Sequence, residues 1–398
     1  MLIVAPQPFF SPRGTPYSVY YRTLVEAELG VEADLLTYGE GEDVDIPGVR
    51  IVRIPRLPLL GPVKIGPSPA KLVLDLVLAA WTFGLLRRRR YDVVHAHEEA
   101  VFFCRLLKPL FRFKLVYDMH SSLPQQLTNF RFTASDLLIG AFRRLEARSI
   151  RGADAVITIC PDLADHALGL IDDPARHFLI ENSVLDPVRL AAKPANGIHV
   201  APLAEPAAGD APPLIAEGRR VIVYAGTLES YQGIDLLLRA FVEVRRRVPE
   251  AFLLVVGGNA EQVRAYRALA AGLGLAEGEH LFTGRVSQER ARACIRLAAV
   301  QVSPRLTGTN TPLKVYEQLA SGVPLVATDI RSHTQVLDDE VAFLAPPEPA
   351  GFAGALVRAL TEAAEAGRRA EAAARRYRER YAREVYVDKM RRLLEVVG

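Results

Sequence analysis

One stretch of the chain combines a turn-forming loop, a helix start and two opposite charges. Residues 303–310 are polar and turn-forming, and Thr311 and Pro312 then suit the N-cap and the first position of a helix. The backbone N–H groups at such a helix start form a site for phosphate. Lys314 and Glu317 share one face of the predicted helix and could hold a diphosphate and two sugar hydroxyls, although their spacing alone is more typical of a surface ion pair.

A second set of candidate residues lies at strand ends in the first half of the chain. His120 follows an apolar run at a predicted strand end, where a histidine is more typical of a binding site than of a core. Asp118 would orient either His120 or a substrate hydroxyl. His95 and His97 also lie at a strand end, and their spacing resembles that of a metal-binding pair. Because no cysteine lies nearby, we predict no metal site there.

Short runs of Val, Ile and Leu alternate with helical segments, a pattern typical of βαβ units around parallel sheets. The chain is therefore predicted to be α/β. Ligands of such sheets bind outside the carboxyl ends of the strands, where the candidate residues fall. The predicted strands cover residues 2–5, 32–37, 49–54, 92–96, 114–118, 155–159 and 178–181 in a first series, and 220–225, 251–256, 280–283, 299–302, 323–327 and 341–344 in a second.

The two series predict two doubly wound, Rossmann-like domains that face a cleft, which agrees with the length of 398 residues. The first domain is predicted over 1–190 and the second over 219–375. Residues 191–218, rich in Ala, Pro and Gly, are interpreted as an interdomain segment. One or two surface helices are expected after Pro349, and we expect the helix over 376–398 to pack back on the first domain.

Composition is that of an ordinary globular protein. Half of the residues are hydrophobic, 24% are charged, and the formal net charge is +3, which argues against a nucleic-acid-coating protein. Three cysteines, each in or beside an apolar run, cannot build a disulfide framework, and the first residues lack the features of a signal peptide. The expected location is the cytoplasm.

Residues 53–114 carry an excess of positive charge, with 12 basic residues against four acidic ones. Within them, Leu72–Leu86 is apolar but shorter than the ~20 residues of a membrane span. We predict that it is a crossover helix packed on the first sheet. Residues 102–114 interleave large apolar and basic side chains, as interfacial segments on anionic lipid do. Peripheral association with an anionic membrane surface is therefore a hypothesis.

Short motifs occur in order along nearly the whole chain. They are Tyr91–His97, Val156–Cys160, Glu181–Asp186, Tyr224–Leu228 followed by Gln232–Leu237, Leu254–Gly258, and Ala320–Thr328. Each resembles a segment of glycosyltransferase family 4, the retaining sugar transferases of the GT-B fold. One such match is weak, but the ordered set is strong.

The resemblance implies transfer of a sugar from a nucleotide diphosphate sugar, held by the second domain, to a glycan or lipid-linked acceptor held mainly by the first. It implies retained anomeric configuration and no metal or cofactor, because helix dipoles and basic side chains stabilise the leaving diphosphate. His120 resembles the cleft histidine of the family. Gly14 and Thr15 match its first loop on the acceptor side, Gly226, Thr227 and Gln232 its donor loop, and Gly308, Thr309, Asn310, Thr311 and Glu317 its nucleotide-sugar site.

Three positions depart from the family pattern. Thr309 stands where the first of two glutamates is expected, and Glu317 matches only the second, which holds ribose hydroxyls. Thr227 and Gln232 replace the arginine and lysine that grip the diphosphate. Arg305 and Lys314, which flank the same loop, are the available replacements, and we predict that they are catalytic together with His120.

Other readings remain open at this point. A degenerate homologue would bind a nucleotide or a partner without turnover. A sugar-nucleotide epimerase would use the same fold, but the motifs follow the transferase pattern. A dinucleotide oxidoreductase is disfavoured because no G-x-G-x-x-G follows the strands at residues 2–5 or 220–225.

Overall fold

The computed structural model describes residues 1–11, 14–57, 68–124, 136–184, 213 and 215–398. Two compact units account for the chain. Unit 1 is Met1–Ala195 together with Ala382–Gly398, and unit 2 is Asn196–Tyr381. Most of the predicted interdomain segment lies outside the described residues. The C-terminal part of unit 1 begins at residue 382 rather than at the predicted 376, because the helix that runs to Arg380 packs within unit 2.

Unit 1 is built on a seven-stranded parallel sheet with the order β3-β2-β1-β4-β5-β6-β7. Four of these strands, β1, β2, β4 and β6, are buried along their whole length because both faces of the sheet are covered. The strands are β1 Leu2–Ala5, β2 Ala33–Thr37, β3 Val49–Arg53, β4 Val93–His97, β5 Lys114–Met119, β6 Ala155–Thr158 and β7 His177–Leu179.

Helices cover both faces of this sheet. Alternate residues of β1 enter separate apolar cores, with Leu2 and Val4 on one side and Ile3 and Ala5 on the other. The helices that the structure describes in unit 1 are α1 Gly14–Glu28, α2 Pro69–Arg88, α3 Ala100–Phe111, α4 Asp136–Gly152, α5 Pro161–Leu168 and, at the end of the chain, α13 Arg383–Val397.

Helix α2 is the predicted crossover helix. Ser68 caps its start by accepting a hydrogen bond from the backbone N–H of Lys71, and Leu74, Leu78 and Leu86 are buried on one face. The helix has 20 residues, more than the 15 of the apolar run in the sequence. By length and composition it could cross a membrane, a test that a packed helix of a soluble protein also meets.

Unit 2 holds a six-stranded parallel sheet with the order β10-β9-β8-β11-β12-β13. Its strands are β8 Arg220–Ala225, β9 Ala251–Val256, β10 His280–Phe282, β11 Val300–Ser303, β12 Leu325–Thr328 and β13 Phe343–Ala345. Its described helices are α6 Ile234–Arg247, α7 Ala260–Gly272, α8 Gln288–Ile295, α9 Leu313–Ala320, α10 Arg331–Thr334, α11 Pro349–Thr361 and α12 Ala363–Arg380.

The end of the chain differs from the prediction of one or two surface helices. Three helices, α11, α12 and α13, follow Pro346. The last one packs on unit 1, as expected for the helix over 376–398, and Tyr386, Met390, Leu393 and Val397 are buried in the core of that unit.

Each sheet has one point at which the strand order reverses, between β1 and β4 in unit 1 and between β8 and β11 in unit 2. Loops after the strands on either side of such a point diverge and leave room for a ligand. His97 ends β4, and Gly226 and the loop from Pro304 follow β8 and β11. The predicted site residues therefore lie where each sheet is suited to bind.

Candidate functional site

In unit 2, Lys314 reaches from helix α9 to the loop that follows β8. Its Nζ donates a hydrogen bond to Oε1 of Gln232 at 3.1 Å and lies 4.2 Å from the ring centre of Tyr224. A Cβ atom at Gly226 would come within 3.7 Å of the same Nζ. The ammonium group therefore lies beside Gly226 and Gln232, both of which belong to the predicted donor loop.

The loop after β8 is locked against the loop after β11. Ser230–Gln232 forms one 3-10 turn, and Gly233 follows it at φ +73°. A Cβ at Gly233 would lie 1.9 Å from the carbonyl oxygen of Pro304, so only glycine fits. In this loop Gln232 is buried and Thr227 is exposed.

Arg305 is held in the loop after β11 by its own neighbours. Its Nε donates to the carbonyl oxygen of Thr307 at 2.6 Å, and the guanidinium carbon lies 5.3 Å from the ring centre of Tyr231. Gly308 has φ +138°, and a Cβ there would lie 2.1 Å from Nη2 of Arg305. A glycine at 308 is therefore required for the guanidinium to occupy this position.

His333 anchors the backbone of this loop, a role that the sequence did not indicate. It is fully buried, and burial lowers its pKa to about 4, so the ring is neutral. Its Nδ1 donates to the carbonyl oxygen of Thr328 at 2.9 Å, and its Nε2 accepts from Oγ of Ser303 at 2.9 Å. The Thr328 hydroxyl in turn donates to the carbonyl oxygen of Arg305.

Arg305 and Lys314 have no carboxylate partner among the described residues. Burial, together with the like charge of Arg305, lowers the pKa of Lys314 to about 7. Burial also lowers the pKa of Arg305 below its ordinary value. Two cations without a neighbouring acid are suited to bind an anion.

The start of helix α9 differs from the prediction. The helix begins at Leu313, and its N-cap is Pro312 with no side-chain capping bond. Thr311 is buried, and its hydroxyl has no hydrogen-bond partner in the described part of the chain, so it is not the predicted N-cap. Thr309 is exposed, with its carbonyl oxygen bound by Gln335, and Glu317 is exposed on the second turn. Asn310, between them, is half-buried.

In unit 1, Asp118 lies at the centre of a fully buried polar network. Nε of Arg22 is 2.8 Å from Oδ2 of Asp118. The same guanidinium donates to Oη of Tyr386 at 2.9 Å and to the carbonyl oxygen of Ile180 at 2.7 Å. Burial alone would raise the pKa of Asp118, but Arg22 and the facing histidines hold it well below its ordinary value. Asp118 is therefore ionised.

Three histidines surround this carboxylate. Nδ1 of His95 is 2.6 Å from Oε1 of Glu26, and Nδ1 of His97 is 3.1 Å from Nε2 of His120. The rings of His95 and His97 stack at 4.6 Å. Burial opposes charge on His95, but Glu26 and Asp118 outweigh it and raise its pKa to about 9. Burial lowers the pKa of His120 to about 4 and that of His97 well below its ordinary value.

The network indicates how Asp118 acts. The sequence left open whether Asp118 orients His120 or contacts a substrate hydroxyl. Asp118 is 0% exposed, and its Oδ1, which has no hydrogen-bond partner among the described residues, is 3.3 Å from Nε2 of His120, so the carboxylate faces His120 inside the protein. Gly14 and Thr15, also predicted on the acceptor side, begin helix α1, and a Cβ at Gly14 would meet no atom within 4 Å. The preceding residues 12 and 13 of that predicted loop lie outside the described residues.

His95, His97 and Asp118 bring ligand atoms within 4.8 Å of one another, the spacing of a metal site. The donor set does not suit a cation. Arg22 already lies against Asp118, and His95 carries a positive charge, so a metal ion would enter between two cations. The cluster is better suited to hold side chains in place.

Arg22, Glu26 and Tyr386 were not found by sequence reasoning. Arg22 and Glu26 are spaced i, i+4 on α1, in a helix otherwise rich in apolar and aromatic residues, and that pair was a usable signal. Tyr386 gave none, because it meets Arg22 only through the packing of α13 on unit 1.

Two parallel-sheet α/β units, each with candidate residues at its switch point, are the architecture of the GT-B fold. Sucrose-phosphate synthase from Thermosynechococcus elongatus matches with a TM-score of 0.71 at 18% identity over 99% of this chain and 98% of its own. HepE from Anabaena, solved in complex with UDP, matches with a TM-score of 0.68 at 15% identity over 99% and 98%.

Sequence comparison specifies the family within this class. The family described as "Glycosyl transferase 4-like domain" matches residues 19–183, and "Glycosyl transferases group 1" matches residues 219–362. The phosphatidyl-myo-inositol mannosyltransferase of Mycolicibacterium smegmatis is 27% identical over 369 residues, 90% of this chain and 84% of its own. The chain belongs to glycosyltransferase family 4, as its motifs predicted.

Proposed function

We propose that this protein transfers a sugar, with retained configuration, from a nucleotide diphosphate sugar bound by unit 2 to a glycan or lipid-linked acceptor on unit 1. The single observation that carries the proposal is the pair of cations, Arg305 and Lys314, that lack a carboxylate partner among the described residues. The resemblance expects the basic pair at positions 227 and 232, where this chain has Thr and Gln. Lys314 of helix α9 donates a hydrogen bond from its ammonium group to Gln232.

The proposed chemistry follows from this charge. When the sugar leaves, negative charge develops on the diphosphate, and Arg305 and Lys314 stabilise it. The phosphate oxygen takes the acceptor proton, so no separate base is needed. Glu317 holds the ribose hydroxyls, while Gly226, Thr227, Gln232, Gly308, Thr309, Asn310 and Thr311 form the surrounding loops. His120 contacts the sugar or the acceptor hydroxyl from unit 1.

Substrate screening tests the proposal directly. Thermal shift against UDP, GDP, ADP and dTDP sugars should select one donor, and NMR of the product should reveal the same anomeric configuration as the donor. An inositol-containing lipid is the first acceptor to try, because the mycolicibacterial relative is named for one. Turnover should persist in EDTA, since the proposed charge stabilisation uses no metal ion.

The rival proposal is a degenerate protein that binds a nucleotide without turnover. Donor hydrolysis in the absence of acceptor separates the two, because a transferase releases some free sugar and a scaffold releases none with any donor. Glu317→Gln should weaken nucleotide binding under either proposal. Glu277→Gln, an exposed glutamate of the same unit, is the matched control and should leave binding unchanged.

We also propose that unit 1 docks on an anionic membrane from the cytoplasmic side. Leu76 on α2 is 73% exposed, and Leu106 and Leu110 on α3 are 67% and 65% exposed. The two helices are in contact, with the ring centres of Phe83 and Phe111 5.7 Å apart. Large apolar side chains of two neighbouring helices thus reach solvent together, as in interfacial proteins.

Cations accompany these apolar side chains. The docking surface is defined as Leu72, Leu76, Leu106 and Leu110 with the exposed Arg87, Arg88 and Arg112. Each arginine near an anionic leaflet contributes about 1 kcal/mol, and each leucine adds apolar burial. The three cysteines are free and buried, which supports a reducing cytoplasmic location.

Vesicle co-sedimentation tests the docking surface. The full chain should bind phosphatidylglycerol vesicles and be released by salt, and it should bind phosphatidylcholine vesicles weakly. Leu76→Glu with Leu110→Glu should abolish binding, whereas Leu168→Glu, a change at an exposed leucine outside the surface, should not. If binding depended neither on lipid charge nor on the paired substitution, docking through this surface would be refuted and the transferase proposal would stand.

A further inference from the structure

Glu146, on helix α4, is a buried carboxylate that the proposed chemistry does not use. Its residue surface is 2% exposed. Its Oε1 accepts a hydrogen bond from Oγ of Ser122 at 3.0 Å, and its Oε2 accepts one from the backbone N–H of Leu123 at 3.0 Å. One carboxylate thus ties two successive residues of the segment after β5 to helix α4.

A third contact comes from helix α5. Nε2 of His166 is 2.9 Å from Oε1 of Glu146, and the His166 side chain is 37% exposed. No lysine or arginine pairs with Glu146 in the part of the chain that the structure describes. The counter-charge of this buried acid is therefore a histidine, and it is present only while the ring is protonated.

Such a carboxylate is a costly way to stabilise a fold. An ionised group loses its hydration on burial, and a permanent cation is the usual compensation. An apolar side chain at position 146 would pack helix α4 without this cost. Because Glu146 instead holds Ser122 and Leu123, the geometry of segment 121–123 is what the carboxylate provides.

Segment 121–123 lies where unit 1 is suited to bind a ligand. It comes directly after β5 and His120, and β5 pairs with β4, which flanks the point of reversed strand order. Ligands of parallel sheets bind at this carboxyl edge, beside such a point. The segment therefore belongs to the predicted acceptor side of unit 1.

We propose that Glu146 is a positioning residue for the acceptor, acting through Ser122 and the backbone of Leu123, with His166 as its counter-charge. The proposal rests on the proposed function, in which unit 1 holds the acceptor. Glu146 is buried and acts on the acceptor only through the segment that it holds. Its loss should therefore alter acceptor binding and leave donor binding by unit 2 unchanged.

Three titratable groups surround Glu146. The hydrogen bond to Glu146 raises the pKa of His166 above its ordinary value, with Asp162 of the same helix adding to the shift and partial burial opposing it. Burial and the charge of Glu146 raise the pKa of Tyr117 on β5 far above its ordinary value, so Tyr117 stays neutral. His166 is therefore the group in this set that changes charge near neutral pH.

Steady-state kinetics of the full chain test the positioning role, with phosphatidylinositol as the acceptor probe and the donor selected by thermal shift. Glu146→Ala should raise the acceptor KM by about tenfold, because two hydrogen bonds to the segment are lost, with the donor KM unchanged. Ser122→Ala, which removes one of the two, should raise it by about threefold. Parental acceptor KM values in both variants overturn the proposal.

Asp154→Asn is the matched control. Asp154 also accepts a backbone N–H, that of Leu115, and pairs with Lys108 at 2.7 Å, but it lies at the amino end of the same sheet. Its substitution should lower the stability of unit 1 without changing the acceptor KM. An equal rise of the acceptor KM in Asp154→Asn would assign the effect to general destabilisation and overturn the proposal.

Glu146→Gln tests the counter-charge and retains the size of the side chain. At pH 8 the amide can accept from Leu123 and donate to Ser122 and to the neutral ring of His166, so the acceptor KM should equal that of the parent. At pH 5.5 the protonated ring faces the amide N–H group as a second donor, and the acceptor KM should exceed the parental value by about threefold. Equal ratios at the two pH values contradict the role of His166.

Hydrogen exchange of the Leu123 amide tests the contact independently of activity. Exchange should be slow in the parent and in Asp154→Asn, and faster by about tenfold in Glu146→Ala, or in Glu146→Gln at pH 5.5 relative to the parent at the same pH. Fast exchange in the parent overturns the proposal. A parent without turnover on any donor and acceptor would refute the proposed function and leave the exchange result standing.

Discussion

The two units arrange their polar side chains in opposite ways. In unit 1, Arg22 and His95 face Asp118 and Glu26, so positive and negative charges balance within a fully buried network. In unit 2, Arg305 and Lys314 face no carboxylate among the described residues, and burial together with the charge of Arg305 lowers the pKa of Lys314.

This difference distinguishes a scaffold from a binding site. In a network with balanced charges, each ion already has its counter-charge within the protein. An unbalanced pair of cations lacks its counter-charge until an anion arrives. Under the proposed function, the same residue types position side chains in one unit and bind ligand in the other, according to whether their charges are balanced.

The largest expected effect comes from breaking the balance in unit 1. Arg22→Met leaves Asp118 as an unpaired buried charge, which should destabilise the protein by about 3–5 kcal/mol. Urea denaturation followed by the fluorescence of Trp81 measures it, since this single tryptophan lies in unit 1.

A second substitution tests that cause. Arg22→Met combined with Asp118→Asn removes both charges and should recover a large part of the lost stability. If the double variant were as unstable as the sum of the two single variants, lost packing rather than unpaired charge would explain the effect.

The next largest effect concerns the cations of unit 2. Lys314→Met should lower kcat/KM for sugar transfer by about 10²–10³, because one donor to the developing diphosphate charge is lost. Steady-state kinetics with the selected donor measures it. Arg239→Ala removes an exposed cation on α6 and serves as control. Equal turnover by Lys314→Met and the parent would place the diphosphate elsewhere.

The pH dependence of nucleotide binding sharpens the same contrast. The pKa of Lys314 is about 7 in the free protein, and a bound diphosphate raises it. Below pH 7 the lysine is charged in both states and affinity is flat. Above pH 7 binding takes up a proton, so affinity should fall by up to about tenfold per pH unit.

Calorimetry at pH 8 in two buffers of different ionisation enthalpy measures that proton. Uptake should approach one proton in the parent. It should vanish in Lys314→Arg, because arginine stays charged throughout this range. Equal affinities at pH 7 and pH 9 in the parent would show that Lys314 does not face the diphosphate.

The smallest expected effect tests the contribution of the last helix to unit 1. Tyr386→Phe removes the acceptor for one N–H of Arg22 and should lower stability by about 1–2 kcal/mol. The Trp81 transition in urea reports it. Tyr266→Phe in unit 2 is the matched change and should leave that transition in place. An unshifted transition in Tyr386→Phe would mean that α13 holds Arg22 through packing alone.

Secondary structure was largely readable from the sequence. Each of the 13 described strands lies within two residues of its predicted bounds at both ends, because buried parallel strands are continuous runs of β-branched and aliphatic residues. The predicted N-cap of α9 was wrong, because Thr311 is buried and does not cap the helix. Cap residues compete with tertiary burial, which local patterns do not record.

The candidate site was readable only in part. Arg305 and Lys314 could be chosen as replacement cations from their place in the loop and helix. That Lys314 reaches Gln232, 82 residues away, follows from the packing of the two loops through Gly233. Arg22, Glu26 and His333 stayed hidden because the sequence around a polar residue does not reveal its partner.

The amino-acid sequence by itself determined the strands, most of the helices and the family, because hydrophobic periodicity and ordered motifs are local properties. Only the tertiary structure decided which charges meet. Arg22 and Tyr386 are 364 residues apart in the chain, and their contact depends on the last helix returning to the first unit. Charge balance is a sum over such contacts, so the distinction between scaffold and binding site arises only when the chain has folded.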